Sequence, residues 1–322
     1  MKNTNNTPMP IFPELENVFY ESPFYPFDDL NEAIFIKMIF SSLNQLMKAE
    51  FMEYEFYILS SGWEQDKLPE SVSYMTNKKK VLIYISDNSG NVPYYLSPYY
   101  FAIFKVHLQL GKFLVNNIFN FPLGYVKNVP KFPVLNITER KFSVFFSGNL
   151  NRNRLPFFFN LFFAKNPVKI IKKGIEILIK IKFLKNLFTI FKFDFKFSNS
   201  YIRFTNGFKK GISPEKYGEI ISDSKIVLCP KGFNLPECFR HYEAMRAGCV
   251  IISEKLPPTH FYSDSPIIQI QNWKDGFDII NKLLKDDVEL VKKSGLTLEW
   301  WEKRCSEEAT AQYIIDCIKK LS

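Results

Sequence analysis

The chain has 322 residues, of which 46% are hydrophobic and 23% charged. That balance excludes a disordered tail, a collagen and a disulfide-stapled miniprotein, and the length accommodates two domains of ordinary size. Lys and Arg outnumber Asp and Glu by 42 to 33, a net charge of +9, which suggests anionic partners without choosing among phosphate ligands, anionic lipid and nucleic acid.

Residues up to about Phe27 carry Pro8, Pro10, Pro13, Pro23 and Pro26 and read as irregular. Met1 to Pro13 is polar and does not resemble a signal peptide. Leu30 to Phe56 has apolar residues at helical spacing: Ile34, Ile36, Ile39, Phe40, Leu43, Leu46 and Met47. Lys80 to Ser86 reads as a buried strand opening into the polar loop Asp87 to Asn91, and a helix is expected around Tyr99 to Phe113. Pro122, Pro130, Pro133 and the polar stretch to Arg140 mark the best domain boundary.

A second alternation follows. Phe142 to Ser147 is a strand, Gly148 to Arg154 a loop, and a long basic helical region comes next. Tyr201 to Phe204 is a strand; Ser213 and Pro214 cap and open a helix running to about Ser222. Ile226 to Cys229 is a strand, Pro230 to Leu235 a loop, and Pro236 to Ala247 a helix closed by Gly248. Val250 to Ser253 and Pro266 to Ile270 are strands, Asp275 to Lys285 is a helix, and Leu298 to Leu321 reads as one long closing helix. Short apolar strands alternating with helices mean parallel sheets. The expected layout is one α/β domain over residues 1–128, a second over 129–297 and a closing helix over 298–322.

No apolar run approaches the roughly 18 to 20 residues of a membrane span, because Lys interrupts each one. A cytoplasmic or peripherally attached protein is expected. The cysteines Cys229, Cys238, Cys249, Cys305 and Cys317 are odd in number, include no Cys-x-x-Cys and read as reduced, structural thiols.

The stretch from Ser224 to Trp273 carries the chemistry. A strand delivers a glycine loop to the N-terminus of a helix, where backbone N–H groups and the helix dipole favour phosphate. Arg240 and Glu243 are three apart and share a helix face. Arg240 offers a planar fork to a diphosphate, and Glu243 an acceptor to ribose hydroxyls. Taken singly, the two also fit a surface ion pair.

In the order Ser224, Leu228-Cys-Pro230, Gly232, Arg240, Glu243-Ala244, Gly248-Cys-Val250 and Trp273, this stretch resembles the exostosin-like glycosyltransferases, family 47. Phe145-Phe-Ser-Gly148 with Arg154 is similar to the strand and loop that open that family's donor domain. Ile251 stands where the family has Pro. The resemblance covers about Phe142 to Trp273 and implies a GT-B fold, with two Rossmann-like α/β domains facing a cleft and a C-terminal crossing helix. It further implies transfer of a sugar from a nucleotide-diphosphate sugar to a glycan or glycolipid acceptor, in surface polysaccharide or lipopolysaccharide synthesis and with inversion. A retaining transferase and a non-catalytic, membrane-attached nucleotide-sugar or glycan-binding protein stay open. The donor-binding candidates are Gly148, Arg152, Arg154, Lys231, Gly232, Arg240 and Glu243, with His241 the weakest of the cations.

No Asp-x-Asp is present, and His107, His241 and His260 form no ligand-spaced cluster. No metal or other cofactor is therefore expected; Arg, Lys and helix N-termini meet the diphosphate charge. An inverting transferase needs a general base from the first domain, at the carboxyl end of a strand. Asp87 fits that place, although it also suits a turn, and Glu53, Glu55 and Glu64 are alternatives. Between Lys165 and Lys196 lie nine Lys against Glu176 and Asp194, interleaved with apolar residues. The pattern fits a solvated lysine face or a helix lying on an anionic membrane. No nucleic-acid module is recognisable.

Overall fold

The computed structural model describes residues 10–22, 24–60, 68–87, 89–108, 115–163 (backbone only at 162 and 163), 197–205, 207 and 211–322. The basic stretch Lys165 to Lys196 and the alternative base Glu64 lie outside the described residues. The chain forms two compact α/β units. One takes the residues up to Lys127 together with Thr259–Phe261 and Lys303–Ser322, and the other takes Asn128–Pro258 and Tyr262–Glu302.

The first unit is built on a six-stranded sheet in sequential order, β1 (Pro10–Phe12), β2 (Leu15–Glu21), β3 (Tyr54–Ser60), β4 (Lys79–Ile85), β5 (Ala102–Lys105) and β6 (Ile118–Asn120). Only β1 and β2 pair antiparallel; β2 to β6 run parallel. Helix α1 (Ala33–Met47) buries Phe35, Ile36, Ile39, Phe40 and Leu43, and the Phe40 ring meets Phe56 of β3 edge-on at 5.3–5.4 Å, as Phe12 meets Phe27. The opposite face of the sheet packs Tyr57, Leu59, Leu82 and Tyr84 on Leu96 and Tyr100.

Several sequence expectations need correction here. The proline-rich start contains β1 and β2, since Pro10 opens an edge strand where a missing N–H is tolerated. The helical pattern from Leu30 ends at Met47, and Phe56 belongs to β3. In place of a helix from Tyr99, residues Ala102 to Lys105 form buried β5. A four-residue apolar strand carries no period that separates it from a helix turn.

The second unit carries a five-stranded, fully parallel sheet: β7 (Phe142–Asn149), β8 (Tyr201–Thr205), β9 (Ser224–Cys229), β10 (Val250–Glu254) and β11 (Ile268–Ile270), in the order β11-β10-β9-β7-β8. Its helices include α2 (Leu155–Phe163), α3 (Pro214–Ser222), α4 (Phe239–Arg246), α5 (Trp273–Leu283) and α6 (Asp287–Trp300). Ser213 caps α3 by accepting from Lys216 N–H at 3.3 Å, with Pro214 in the first turn. Phe146, Phe157, Phe204, Trp273 and Phe277 form one aromatic cluster in the core. The long closing helix is interrupted: α6 ends at Trp300, a π-turn spans Trp301–Cys305, and Ser306 caps a new helix, α7 (Glu307–Lys319). Helix α7 belongs to the first unit, where it packs on α1. Among the described residues no helix is long and apolar enough to cross a membrane.

Candidate anion-binding site

In the second unit the first strand, β7, lies in the middle, with β8 on one side and β9 on the other. Chain order reverses there, and open α/β sheets bind ligands outside the carboxyl ends of the strands at such a point. Those ends are Gly148-Asn149 and Cys229-Pro230.

Two guanidinium groups occupy the place. Arg240 is the second residue of α4, because the helix starts at Phe239 and not at Pro236. It is 7% exposed, so it is interior and not part of a surface ion pair. Its Nη2 donates to the Ser147 carbonyl, and its Cζ lies 4.8 Å from the Phe146 ring centroid. Its Nε and Nη1 are buried without a hydrogen-bond partner. Arg154 is equally buried, but its donors are used: Nε reaches the Lys231 carbonyl at 3.0 Å and Nη1 the Asn149 carbonyl at 2.8 Å. Burial and the neighbouring Arg240 charge lower the Arg154 pKa to about 10. The Arg240 charge disfavours that of Arg154, while Tyr217, the two cysteines and Glu243 favour that of Arg240 against the cost of burial.

The other candidates divide. A Cβ on Gly148 would stand 2.7 Å from Arg240 Nη2 and 3.1 Å from Arg154 Nη1, so a side chain here would push the Arg240 guanidinium from its place. Gly232 makes the tight turn before α4; its N–H donates to the Leu235 carbonyl at 2.9 Å, and a Cβ would meet that same oxygen at 2.9 Å. Lys231 is partly exposed and contributes its carbonyl to Arg154. Arg152 is exposed on the turn that carries Arg154. Glu243 is 5% exposed and accepts from Tyr217 Oη at 2.7 Å, one turn below Arg240. It also lines a shallow pocket with Arg246, Ser222 and Pro130, towards the opposite end of α4.

Much of the Ser224–Trp273 motif is scaffold. Ser224 Oγ donates to the Ile220 carbonyl at 2.6 Å, closing α3. Trp273 Nε1 donates to Glu254 at 2.7 Å. Cys249 Sγ donates to the Ile221 carbonyl at 3.2 Å and accepts from Arg140 at 3.3 Å.

Sequence spacing hid one cluster. Cys229 at the end of β9, Cys238 at the N-cap of α4 and His241 in its first turn bring their potential ligand atoms within 4.8 Å of one another. They are the one such group of three among the described residues. His241, ranked last as a cation, is fully buried: Nε2 faces Ser253 Oγ at 2.8 Å, and Nδ1 accepts the Cys238 backbone N–H at 3.2 Å.

Asp87 lies in the first unit, two residues past β4. Its carboxylate meets Lys105 Nζ at 2.8 Å and accepts from Ser89 N–H and Oγ. Burial raises its pKa, but the Lys105 and Ser89 interactions outweigh that and hold it below the usual value. Ser86, one residue earlier, bonds a carboxylate the sequence reading passed over. Glu32, the N-cap residue of α1, is 5% exposed and accepts from Ser86 Oγ at 2.9 Å. Burial pushes its pKa up against that bond and the nearby His107. Ser86 and His107, just past β4 and β5, have φ of 57° and 55°, a strained region for such residues.

Residues 186–320 match the family model of the RXYLT1 C-terminal domain, which is less than half of the chain. No curated protein matches the chain by sequence. Two solved structures are similar over most of its length. Anabaena HepE, crystallised in complex with UDP, is 10% identical at a TM-score of 0.47, covering 89% of this chain and 82% of its own. A glycosyltransferase from Rickettsia africae is 11% identical at a TM-score of 0.49, covering 96% of this chain and 86% of its own.

Proposed function

We propose that the protein is a glycosyltransferase of the GT-B type. On this reading the second unit binds a nucleotide-diphosphate sugar outside the carboxyl ends of β7 and β9, and the first unit binds a glycan or glycolipid acceptor. The observation that carries the reading is Arg240: a guanidinium 7% exposed, at a helix start and a sheet switch point, with Nε and Nη1 unpartnered. An orphaned buried donor costs about 1 to 3 kcal/mol, and a diphosphate oxygen removes that cost. The exostosin-like order of residues around Arg240 supports the sugar-nucleotide class over other phosphates.

Arg240 holds the diphosphate and meets the charge that develops on it as the sugar leaves. Arg154, tied to Lys231 and Asn149, fixes the loop and adds long-range positive charge. Glu243 accepts from the ribose. The diphosphate is held without a metal. Inversion draws on a carboxylate at the strand ends of the first unit, with Asp87 the candidate base. Its Lys105 bond keeps it ionised, as a base must be, at the cost of basicity. The chain works in surface glycan assembly from the cytoplasmic side, with the Lys165 to Lys196 segment resting on anionic lipid.

The test is a panel of nucleoside diphosphates and their sugar conjugates, run in EDTA, with thermal shift and donor hydrolysis as readouts. One nucleotide family is expected to bind and one conjugate to be hydrolysed. Binding by none of them, or binding only with added Mg²⁺ or Mn²⁺, refutes the reading.

A further inference from the structure

The proposed donor site uses neither thiol of the cluster beside it. Cys229 is fully buried at the end of β9, whereas Cys238 is partly exposed at the N-cap of α4. The two sulfurs lie within 4.8 Å, with the eight residues of the Gly232 loop between them. A helix N-terminus and an adjacent cation both favour thiolate, and Cys238 has the start of α4 and the nearby Arg240 charge. A hydrogen bond from Cys229, with these charges, pulls Cys238 below the usual thiol range, while burial pushes Cys229 up.

A metal fits the same three residues less well. Both His241 nitrogens are already engaged: Nε2 lies 2.8 Å from Ser253 Oγ, and Nδ1 lies 3.2 Å from the backbone nitrogen of Cys238, which opens the helix, and 3.1 Å from its carbonyl oxygen. A cation at the cluster would displace that cap and stand beside the Arg240 charge.

We infer that Cys238 and Cys229 are a reactive and a resolving thiol that oxidise reversibly to a disulfide across the Gly232 loop. With hydrogen peroxide as oxidant, the Cys238 thiolate attacks one peroxide oxygen. The S–O bond forms, the O–O bond breaks, and hydroxide leaves to be protonated to water. The Cys229 sulfur then attacks the sulfenic sulfur; the S–S bond forms, the S–O bond breaks, and the departing hydroxide takes the Cys229 proton as water. An external dithiol reverses the step.

The full chain, reduced and freed of reductant, is treated with hydrogen peroxide, blocked with N-ethylmaleimide and mapped by mass spectrometry. The expected product is one dithiothreitol-sensitive peptide joining Cys229 to Cys238, with Cys249, Cys305 and Cys317 still alkylated after unfolding. In the untreated native protein Cys238 is expected to react with N-ethylmaleimide at least about tenfold faster than the other four thiols. Cys238→Ser places a preferred cap residue at the helix start, so it keeps the fold while removing both the cross-link and the fast thiol. Cys238 trapped as a sulfenic acid with no cross-link, or both thiols still alkylated, overturns the inference. So does an equivalent of zinc whose removal releases both thiols. None of these readouts needs a nucleotide, so their failure is separate from failure of the donor assignment.

Discussion

Replacing Arg240 by Met removes the guanidinium while keeping an apolar stem against the Phe146 ring, which its Cζ approaches to 4.8 Å. The protein loses one bond to the Ser147 carbonyl and two donors that are unpartnered in the free state. A charge-assisted hydrogen bond contributes about 1.5 to 3 kcal/mol. Two such bonds to a diphosphate, taken at the low end because they share one group, give about 3 kcal/mol, or roughly 150-fold in Kd. The consequence is readable by thermal shift. Nucleotide at 100 times the wild-type Kd stabilises the wild type by about 2.7 kcal/mol. The same concentration stabilises the variant by only about 0.3 kcal/mol, so a shift of several degrees falls below one. Arg240→Lys keeps the charge without the fork and is expected to fall between, at about tenfold. Isothermal titration with the nucleotide and with pyrophosphate gives the affinities directly. A folded Arg240→Met protein that binds either ligand within about threefold of wild type refutes the reasoning.

Arg154→Ala is expected to act on stability more than on affinity. It strips donors from the half-buried Lys231 and Asn149 carbonyls, and urea unfolding should show a loss of about 2 kcal/mol, with relief of the Arg240 repulsion offsetting part of it. Asp87→Asn leaves Lys105, 1% exposed, without its carboxylate, and should cost about 3 kcal/mol. Asp87→Asn with Lys105→Met should recover most of that in the same unfolding assay; if Asp87 is the base, the recovered protein still transfers no sugar. His260 stacks on Tyr313 at 4.2 Å, and burial, Arg304 and Lys320 lower its pKa from 6.5 to about 4 against the opposing pull of Asp316. The unfolded chain therefore binds the extra proton first, and stability present above pH 6.5 falls as pH drops towards 4. After discounting for partial exposure the loss is at most about 2 kcal/mol, and His260→Phe should flatten that part of the pH–stability curve.

Apart from α6, which the sequence reading missed, the strands and helices of the second unit were legible because each carries its own local signal. Ser213-Pro214 is a cap and a first helical residue wherever it occurs, and Ile226 to Cys229 is apolar enough to be buried on both faces. The first unit hid more, because β1 is three residues opened by Pro10, β5 is four apolar residues with no period to read, and β2 sits between Pro13 and Pro23. The break at Ser306 was hidden for a different reason. Helical spacing continues on both sides of it, and the π-turn at Trp301–Cys305 shifts the register without interrupting the apolar pattern.

The sequence by itself determined a parallel α/β protein, a glycine loop feeding a helix, and Arg240 as a cation in the first turn of that helix. Those follow from bonds and periods spanning a few residues. Only the tertiary structure decided what each polar group meets. Sheet order placed Gly148, near the end of β7, and Arg154, from the turn after it, against Arg240, more than eighty residues later in the chain. Burial made Arg240 an orphaned donor, Arg154 a loop clamp and Asp87 the counter-ion of Lys105. It also brought Cys229, Cys238 and His241 together from a spacing that signals nothing. Partnership and desolvation are set by residues distant in sequence, and they fix whether a charged side chain is scaffold or site.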